Sequence, residues 1–190
     1  INATIDTPSV NYFAATNEGD AVAMACGAFI AGKKGIVMFQ NSGLGNAVNA
    51  LTSLAYPFRL PCLLIVTHRG EPGGKPDEPQ HELMGPITTD LLDVLKIKWE
   101  SFPEEPEQIQ SVLKNANDYI NERQLPYALV MSEGSVAAQE LQQKKDETPI
   151  GSRQLSFTEN LTAPYSKRTS RTEALQVLLE HKQPGDIVIA

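Results

Sequence analysis

A single acid opens a segment of small residues near the start of the chain. Glu18 heads NEGDAVAMACG, residues 17–27, in which alanine and glycine recur. The positive end of a helix dipole stabilises an ionised carboxylate in the first turn by ~0.3–1 kcal/mol. Small side chains also let a helix approach a sheet closely and exclude water. The pattern leaves two interpretations open: an exposed first-turn acid, or a carboxylate held in a site.

Two further stretches carry polar side chains directly after strand-like runs. QNSGLGN, residues 40–46, leaves backbone N–H groups free at a helix N-terminus, where they can donate to a polar ligand. It lacks the glycine spacing and the lysine of phosphate-binding loops, so a tight turn capped by Asn41 or Ser42 is the alternative. HRGEPGGKPDEPQH, residues 68–81, is a long loop, and such loops are functional or solvated. Its position after a strand favours function.

The elements that position these stretches alternate along the chain. Three apolar runs show no alternation, which is typical of strands covered on both faces, over residues 35–40, 61–67 and 126–132. Apolar residues at helical spacing predict helices over residues 44–55, 88–95 and 109–120. Pro57 should end the first of them. The pattern predicts an α/β fold, with a parallel sheet flanked by helices and the strand-to-helix loops at one edge.

The remainder of the chain predicts a second folding unit. Residues 1–133 form the first predicted domain and residues 134–169, which are mostly polar, a linker. Residues 170–190 form the predicted start of a second α/β domain, since Ser170 and Glu173 make a capping box and GDIVIA reads as a buried strand. One helix and one strand cannot bury a core alone. The chain is therefore expected to be a piece of a longer protein.

Composition excludes several classes of function. The formal net charge of the 190 residues is -7 without a basic cluster, so no nucleic-acid partner is expected. No apolar run is long enough to cross a bilayer, so no membrane contact is expected either. Cys26 and Cys62 lie in apolar surroundings and are predicted to be buried free thiols of a cytoplasmic protein, although a disulfide remains possible. The three histidines form no ligand cluster with them, and no metal site is predicted in this chain.

Together these motifs resemble a known family. An acid opening a small-residue helix, then strand–NSGLGN–helix, then strand–RGEPG with DEPQH, resembles the pyrimidine-binding domain of thiamine-diphosphate-dependent decarboxylases. The resemblance covers residues 17–132 and is strongest to phosphonopyruvate decarboxylases, followed by the α subunits of sulfopyruvate decarboxylases. The first strand and first loop of that family have no counterpart in this sequence. Its GDG…N site for magnesium and diphosphate has none either, since Gly185 and Asp186 are followed by Ile187.

The resemblance implies that Glu18 is catalytic and binds the cofactor. The acid at this position in similar enzymes exchanges a proton with the aminopyrimidine ring of thiamine diphosphate. Burial can raise a carboxyl pKa by up to ~3–5 units, which outweighs the helix dipole and leaves Glu18 able to share a proton near neutral pH. Asn41, Ser42, Gly43 and Leu44 are the implied contacts to the cofactor ring, although Leu44 could be a core residue instead.

The long loop is implied to face a substrate that carries a carboxylate and a second anionic group. Arg69 would bind that group through paired donors. Asp77, Glu78 and Gln80 would orient the site, and His81 would relay a proton to the product carbon. A structural salt bridge for Arg69 and a loop hydrogen bond for His81 are the alternatives.

The activity implied is decarboxylation of phosphonopyruvate to phosphonoacetaldehyde by a cytoplasmic lyase of phosphonate biosynthesis. A sulfopyruvate decarboxylase α-type subunit is the first alternative, and a non-enzymatic α/β ligand-binding module is the second. Mg²⁺ is expected in the second domain, together with the cofactor diphosphate. The site of similar enzymes forms between subunits, so a homo-oligomer, at least a dimer, is expected.

Overall fold

A four-stranded parallel sheet forms the centre of the fold. The computed structural model describes residues 1–142 and 170–181. The strands are β1 (Ile36–Gln40), β2 (Leu63–Thr67), β3 (Lys98–Ser101) and β4 (Tyr127–Met131), in the spatial order β1-β2-β4-β3. Every neighbouring pair is parallel, which confirms the predicted α/β class. The register sets Gln40 beside Thr67 and Thr67 beside Met131, so three strands end level at one edge.

Helices precede and connect the strands of the sheet. They are α1 (Asn2–Ile5), α2 (Glu18–Ile30), α3 (Leu44–Ala50), α4 (Met84–Val94) and α5 (Pro106–Arg123), and α6 (Arg171–His181) follows later in the chain. A wide turn over Leu51–Ala55 continues α3, and the Tyr56 N–H donates to the carbonyl of Leu51. The helix stops before Pro57, as predicted, because proline lacks an N–H and disfavours a helical residue before it. Pro106 lies in the first turn of α5, where its missing N–H costs nothing.

The small residues of α2 let it lie directly against the sheet. A Cβ built on Gly35, just before β1, would lie 2.6 Å from the Cβ of Ala25. Cys26 and Val22 on the same helix are fully buried with Val37 of β1 in the main hydrophobic core. This close packing fixes the position of the N-terminus of α2 relative to the end of β1.

The predicted strands are confirmed, but two features of the sheet differ from the prediction. β3 was missed because it is a short edge strand with alternating charged and apolar residues. The expectation that all strands are covered on both faces is wrong for β1, where Ile36 is 57% exposed and Val37 is 4% exposed. Helix α5 buries Tyr127 and Leu129 on the second face of β4, whereas Ile36 of β1 stays more than half exposed.

The chain divides into two compact units, Ile1–Lys145 and Asp146–Ala190. In the first unit, Asn2 donates to the carbonyl of Gln139 at 2.7 Å, and the N–H of Gln142 donates to Asp6 at 2.9 Å.

In the second unit, the predicted capping box of α6 is confirmed. The Ser170 N–H donates to Glu173, and the Glu173 N–H donates to Ser170 Oγ. The predicted strand at residues 185–190 and residues 143–169 of the predicted linker lie outside the described residues, and the proposed domain limits remain predictions.

Two expectations from composition can be compared with this structure. None of the helices that the structure describes is long and apolar enough to cross a membrane. Cys26 and Cys62 are buried free cysteines, which is the predicted state.

Candidate active site

The ends of β1 and β2 bring the two polar loops side by side. Asn41 follows β1 and His68 follows β2, and their strands end level in the sheet. Parallel sheets bind ligands at the carboxyl edge because the strand-to-helix loops converge there. The carboxylate of Glu18, at the start of α2, is held at the turn that follows β1.

Glu18 is the first helical residue of α2 and is half-buried. Asn17 caps the helix by accepting from the N–H of Asp20 at 3.0 Å. Asn46 Nδ2 of α3 donates to Glu18 Oε2 at 2.9 Å. The carboxylate therefore lies between the N-terminal ends of two helices, and Asn46 is a partner that the sequence prediction missed.

Gly43 provides the space that the Glu18 carboxylate fills. A Cβ built on Gly43 would overlap the Cδ and Oε1 atoms of Glu18. Gly43 has φ -76° and ψ -12°, which any residue adopts, so glycine is needed here for room and not for backbone conformation. The NSGLGN turn and Glu18 are thus complementary in shape.

Asn41 joins the two loops from inside the protein. Its side chain is fully buried, and its Nδ2 group donates to the carbonyl of Arg69 at 2.8 Å and to Thr88 Oγ1 at 2.9 Å. Its Oδ1 accepts from the N–H of Arg69 at 3.3 Å. The donors of the amide are all used within the protein, so the side chain of Asn41 acts as a clamp between loops. Asn41 therefore does not cap its own turn, which was the alternative interpretation.

Ser42 and Leu44 on the same turn differ in exposure. Ser42 is exposed and donates to Gln40 Oε1 at 2.7 Å. Leu44 is fully buried in the main core, so its side chain packs against the protein.

Arg69 and Asp77 form a two-pronged ion pair in the long loop. Arg69 Nε donates to Asp77 Oδ2 at 2.8 Å, and its Nη2 group donates to Oδ1. The Asp77 carboxylate also accepts from the N–H groups of Glu78 and Gly70, both at 2.8 Å. These donors, Arg69 first, hold the pKa of Asp77 well below its usual range, and Asp77 raises the pKa of Arg69.

The predicted substrate residues do come together around this pair. Arg69 Nη2 lies 3.4 Å from Glu78 Oε2, and Gln80 Nε2 donates to the same oxygen at 2.8 Å. Arg69 Nη1 has no hydrogen-bond partner among the residues that the structure describes, and 37% of the side chain is exposed. The guanidinium group of Arg69 therefore forms a structural salt bridge through Nε and Nη2 and leaves Nη1 free to donate to a ligand.

His81 is almost completely buried, with 2% of its surface exposed. Its Nε2 atom lies 3.3 Å from Gln40 Oε1 and its Nδ1 atom lies 3.3 Å from Asp77 Oδ1. Nδ1 nevertheless makes no well-aligned hydrogen bond. Gln40, the last residue of β1, thus contacts both His81 and Ser42, and sequence reasoning missed it.

A second histidine, His68, also escaped the sequence prediction. It is buried at the end of β2, and its Nε2 group donates to the carbonyl of Gly85 at 2.8 Å. Its Nδ1 atom lies 3.8 Å from Glu71 Oε1, which accepts from Ser132 Oγ at 3.0 Å. His68 and Glu71 line a cavity of about 270 Å³, together with Arg69 and Lys75. The cavity lies between the loops that follow β2 and β4.

One group of side chains has the spacing that a cation would need. Ligand atoms of Asp77, Glu78 and His81 lie within 4.8 Å of one another. The guanidinium group of Arg69 already pairs with both oxygens of Asp77 and approaches Glu78. A protein cation therefore already balances one of the two carboxylate charges in this cluster.

Comparison with curated proteins identifies close relatives. A phosphonopyruvate decarboxylase of Streptomyces viridochromogenes is 41% identical over 151 residues, which cover 80% of this chain and 38% of the relative. A phosphonopyruvate decarboxylase of Streptomyces hygroscopicus is 35% identical over 190 residues, which cover 100% of this chain and 46% of the relative. A sulfopyruvate decarboxylase subunit alpha of Methanocaldococcus jannaschii is 40% identical over 116 residues, which cover 61% of this chain and 67% of the relative.

The chain belongs to the phosphonopyruvate and sulfopyruvate decarboxylase family. This confirms the family that the sequence motifs resembled. No protein-family model matches the chain. The chain spans less than half the length of the two phosphonopyruvate decarboxylases that it matches. All the candidate site residues named above, from Glu18 to His81, lie in the first compact unit.

Proposed function

We propose that this chain supplies the pyrimidine-binding half of a thiamine-diphosphate-dependent decarboxylase that converts phosphonopyruvate to phosphonoacetaldehyde. The observation that carries the proposal is the Glu18 carboxylate seated against Gly43 at the carboxyl edge of the sheet. Among the described residues only Asn46 donates to Glu18, and it does so through Oε2. Oε1 is therefore available to a ring nitrogen of the cofactor, and the donor set fits the group.

Each side chain then has a defined task. Thiamine diphosphate, when bound, supplies the electron sink for the pair left behind as carbon dioxide departs. Glu18 would hold and return a proton at a ring nitrogen of the aminopyrimidine, beside Gly43 and Ser42. Asn41 would keep the turn and the long loop in fixed register through its bonds to Arg69 and Thr88.

The long loop would bind the substrate. Arg69 would present Nη1 to the phosphonate while Asp77 fixes the plane of the guanidinium group. Gln80 and Glu78 would help to orient the guanidinium group of Arg69. His81 would hold the proton that the product carbon receives after decarboxylation.

We assign Mg²⁺ and diphosphate binding to the second domain. In the part of the chain that the structure describes, the cation-spaced cluster around Asp77 is already paired with Arg69. The complete enzyme would be a homo-oligomer in which one subunit's pyrimidine half meets a partner's diphosphate half.

Sulfopyruvate decarboxylation is the second candidate, and the Methanocaldococcus relative favours it. The extent of the similarity favours phosphonopyruvate. The Streptomyces hygroscopicus enzyme matches all 190 residues, whereas the sulfopyruvate α subunit matches 61% of this chain.

The test is a direct assay of the full-length protein with thiamine diphosphate and Mg²⁺. Carbon dioxide release would be measured with phosphonopyruvate and with sulfopyruvate, with and without a chelator. A higher kcat/KM for phosphonopyruvate supports the proposal, and a higher value for sulfopyruvate selects the alternative. Consumption of neither substrate would leave the non-enzymatic module as the better account.

A further inference from the structure

Gln40 lies where the two halves of the candidate site meet, and neither the family resemblance nor the comparisons give it a role. It is the last residue of β1, and its side chain is directed to the carboxyl edge of the sheet beside the NSGLGN turn. Its Oε1 atom accepts from Ser42 Oγ at 2.7 Å and lies 3.3 Å from His81 Nε2. A single oxygen atom thus contacts both the NSGLGN turn, which would face the cofactor, and the long loop of residues 68–81, which would face the substrate.

The chemistry of this contact fixes which nitrogen of His81 carries a proton. A side-chain amide oxygen accepts hydrogen bonds and cannot donate. The Nε2 atom that faces Gln40 Oε1 must therefore carry a hydrogen for the contact to be favourable. The hydrogen bond that one ring nitrogen makes decides the role left to the other nitrogen.

The other ring nitrogen also faces an acceptor, but with poorer geometry. Nδ1 lies 3.3 Å from Asp77 Oδ1 without a well-aligned hydrogen bond. Asp77 already accepts from Arg69 and from the backbone N–H groups of Gly70 and Glu78. The His81 ring is almost completely buried, so water does not compensate for a lost partner. Of the two contacts, only that between Nε2 and Gln40 has the geometry of a hydrogen bond, and it therefore sets the orientation of the ring.

We propose that Gln40 is a positioning residue that holds the His81 ring with Nε2 protonated and ties it to the Ser42 turn. Nδ1 is then the nitrogen left to exchange a proton, on the side of Asp77 and the substrate loop. This inference rests on the proposed function for the part that concerns turnover, because it needs His81 to carry a proton in the reaction. The assignment of the Nε2–H form does not depend on turnover.

The test compares two substitutions of Gln40 in the full-length protein. Gln40→Leu keeps a similar volume and removes the acceptor, whereas Gln40→Glu keeps an acceptor oxygen in the same place. We expect Gln40→Leu to lower kcat about tenfold with a smaller change in KM, and to shift the pH profile of kcat. Gln40→Glu should recover part of kcat. Gln110→Leu changes an exposed glutamine of α5 and should leave both constants unaltered.

Nitrogen-15 spectra of histidine-labelled protein provide the readout that is independent of activity. The His81 signals are identified by their loss in His81→Gln. We expect Nε2 of the wild type to carry a proton, and Gln40→Leu to move that proton towards Nδ1, which faces the Asp77 carboxylate. An unprotonated Nε2 in the wild type, or an unchanged spectrum in Gln40→Leu, would overturn the proposal. A protein that decarboxylates neither substrate but shows these spectra would contradict the proposed function and keep the assignment of Gln40.

Discussion

The carboxylate of Glu18 lies against the Cα of Gly43, so that no side chain fits at position 43 without displacing it. The two residues come from different parts of the chain and meet because α2 packs closely on β1 through Ala25 and Gly35. Since the φ angle of Gly43 is -76°, only the steric requirement explains the glycine. The shape of the turn thus determines where the acid can sit.

A methyl group at position 43 should therefore disable the enzyme without unfolding it. In Gly43→Ala the new Cβ overlaps Glu18, and the flexible acid must rotate away from its position. Misplacement of a reacting group by about 1 Å can cost about 10²-fold in rate, and we expect a loss of that order in kcat. Gly45→Ala is the matched control, because a Cβ there meets nothing within 4 Å. Equal activity of both variants would contradict this steric argument.

Removing the charge of Glu18 tests its chemistry separately from its shape. Glu18→Gln keeps the volume but replaces the oxygen that exchanges a proton, so kcat should fall by at least ~10²-fold in the full-length protein. Asp20→Asn alters an exposed acid of the same first turn and should leave turnover close to the wild-type value. If Glu18→Gln turned over normally, Glu18 would have no part in the mechanism.

Asn41 should matter for stability as well as for activity. Asn41→Ala leaves the backbone of Arg69 and the hydroxyl of Thr88 without their buried partner. A buried polar group that loses its partner costs about 1–3 kcal/mol, so the free energy of unfolding in urea should fall by at least that amount. Asn49→Ala, at an exposed position of α3, should leave stability unchanged or slightly raised. Similar unfolding midpoints for the two variants would show that the clamp is weak.

The ion pair of Asp77 predicts how the stability of the loop depends on pH. Arg69 and two backbone N–H groups lower the pKa of Asp77 in the folded state below its unfolded value of about 3.9. Its contribution to stability is therefore complete above about pH 5 and is lost as the pH falls below about 4. The difference in unfolding free energy between the wild type and Asp77→Asn should shrink over that interval. A difference that stays constant from pH 6 to pH 3 would exclude the ion pair as its source.

The sequence predicted the elements with a strong local signal. Continuous apolar runs gave β1, β2 and β4, and the capping pair of Ser170 and Glu173 gave the start of α6. β3 was missed because Lys98 and Glu100 interrupt its apolar pattern at an edge of the sheet. Coverage of β1 was mispredicted because the position of α5 over β4 is a tertiary property that no single run encodes.

The sequence predicted which residues belong to the candidate site, but it did not predict which of them contact one another. Glu18 and the NSGLGN turn could be named from motifs, but their contact depends on the packing of α2 on β1. The roles of Asn41 and Gln40 were not visible, because each joins residues about 30 to 40 positions apart in the chain. Polar side chains of this kind read locally as caps, and only the fold shows which loop they reach.

Burial predicts that the two cysteines react slowly in the native protein. Desolvation raises the pKa of Cys62 to about 12 and also raises that of Cys26. Because the thiolate is the reactive form, a pKa of about 12 leaves about one thiol in ten thousand ionised at pH 8. Iodoacetamide should therefore label neither residue in native protein and both in urea, as mapped by peptide mass spectrometry. A thiol introduced by Ser9→Cys, at an exposed position, should react at once under native conditions. Fast native labelling of Cys62 would contradict its place in the core.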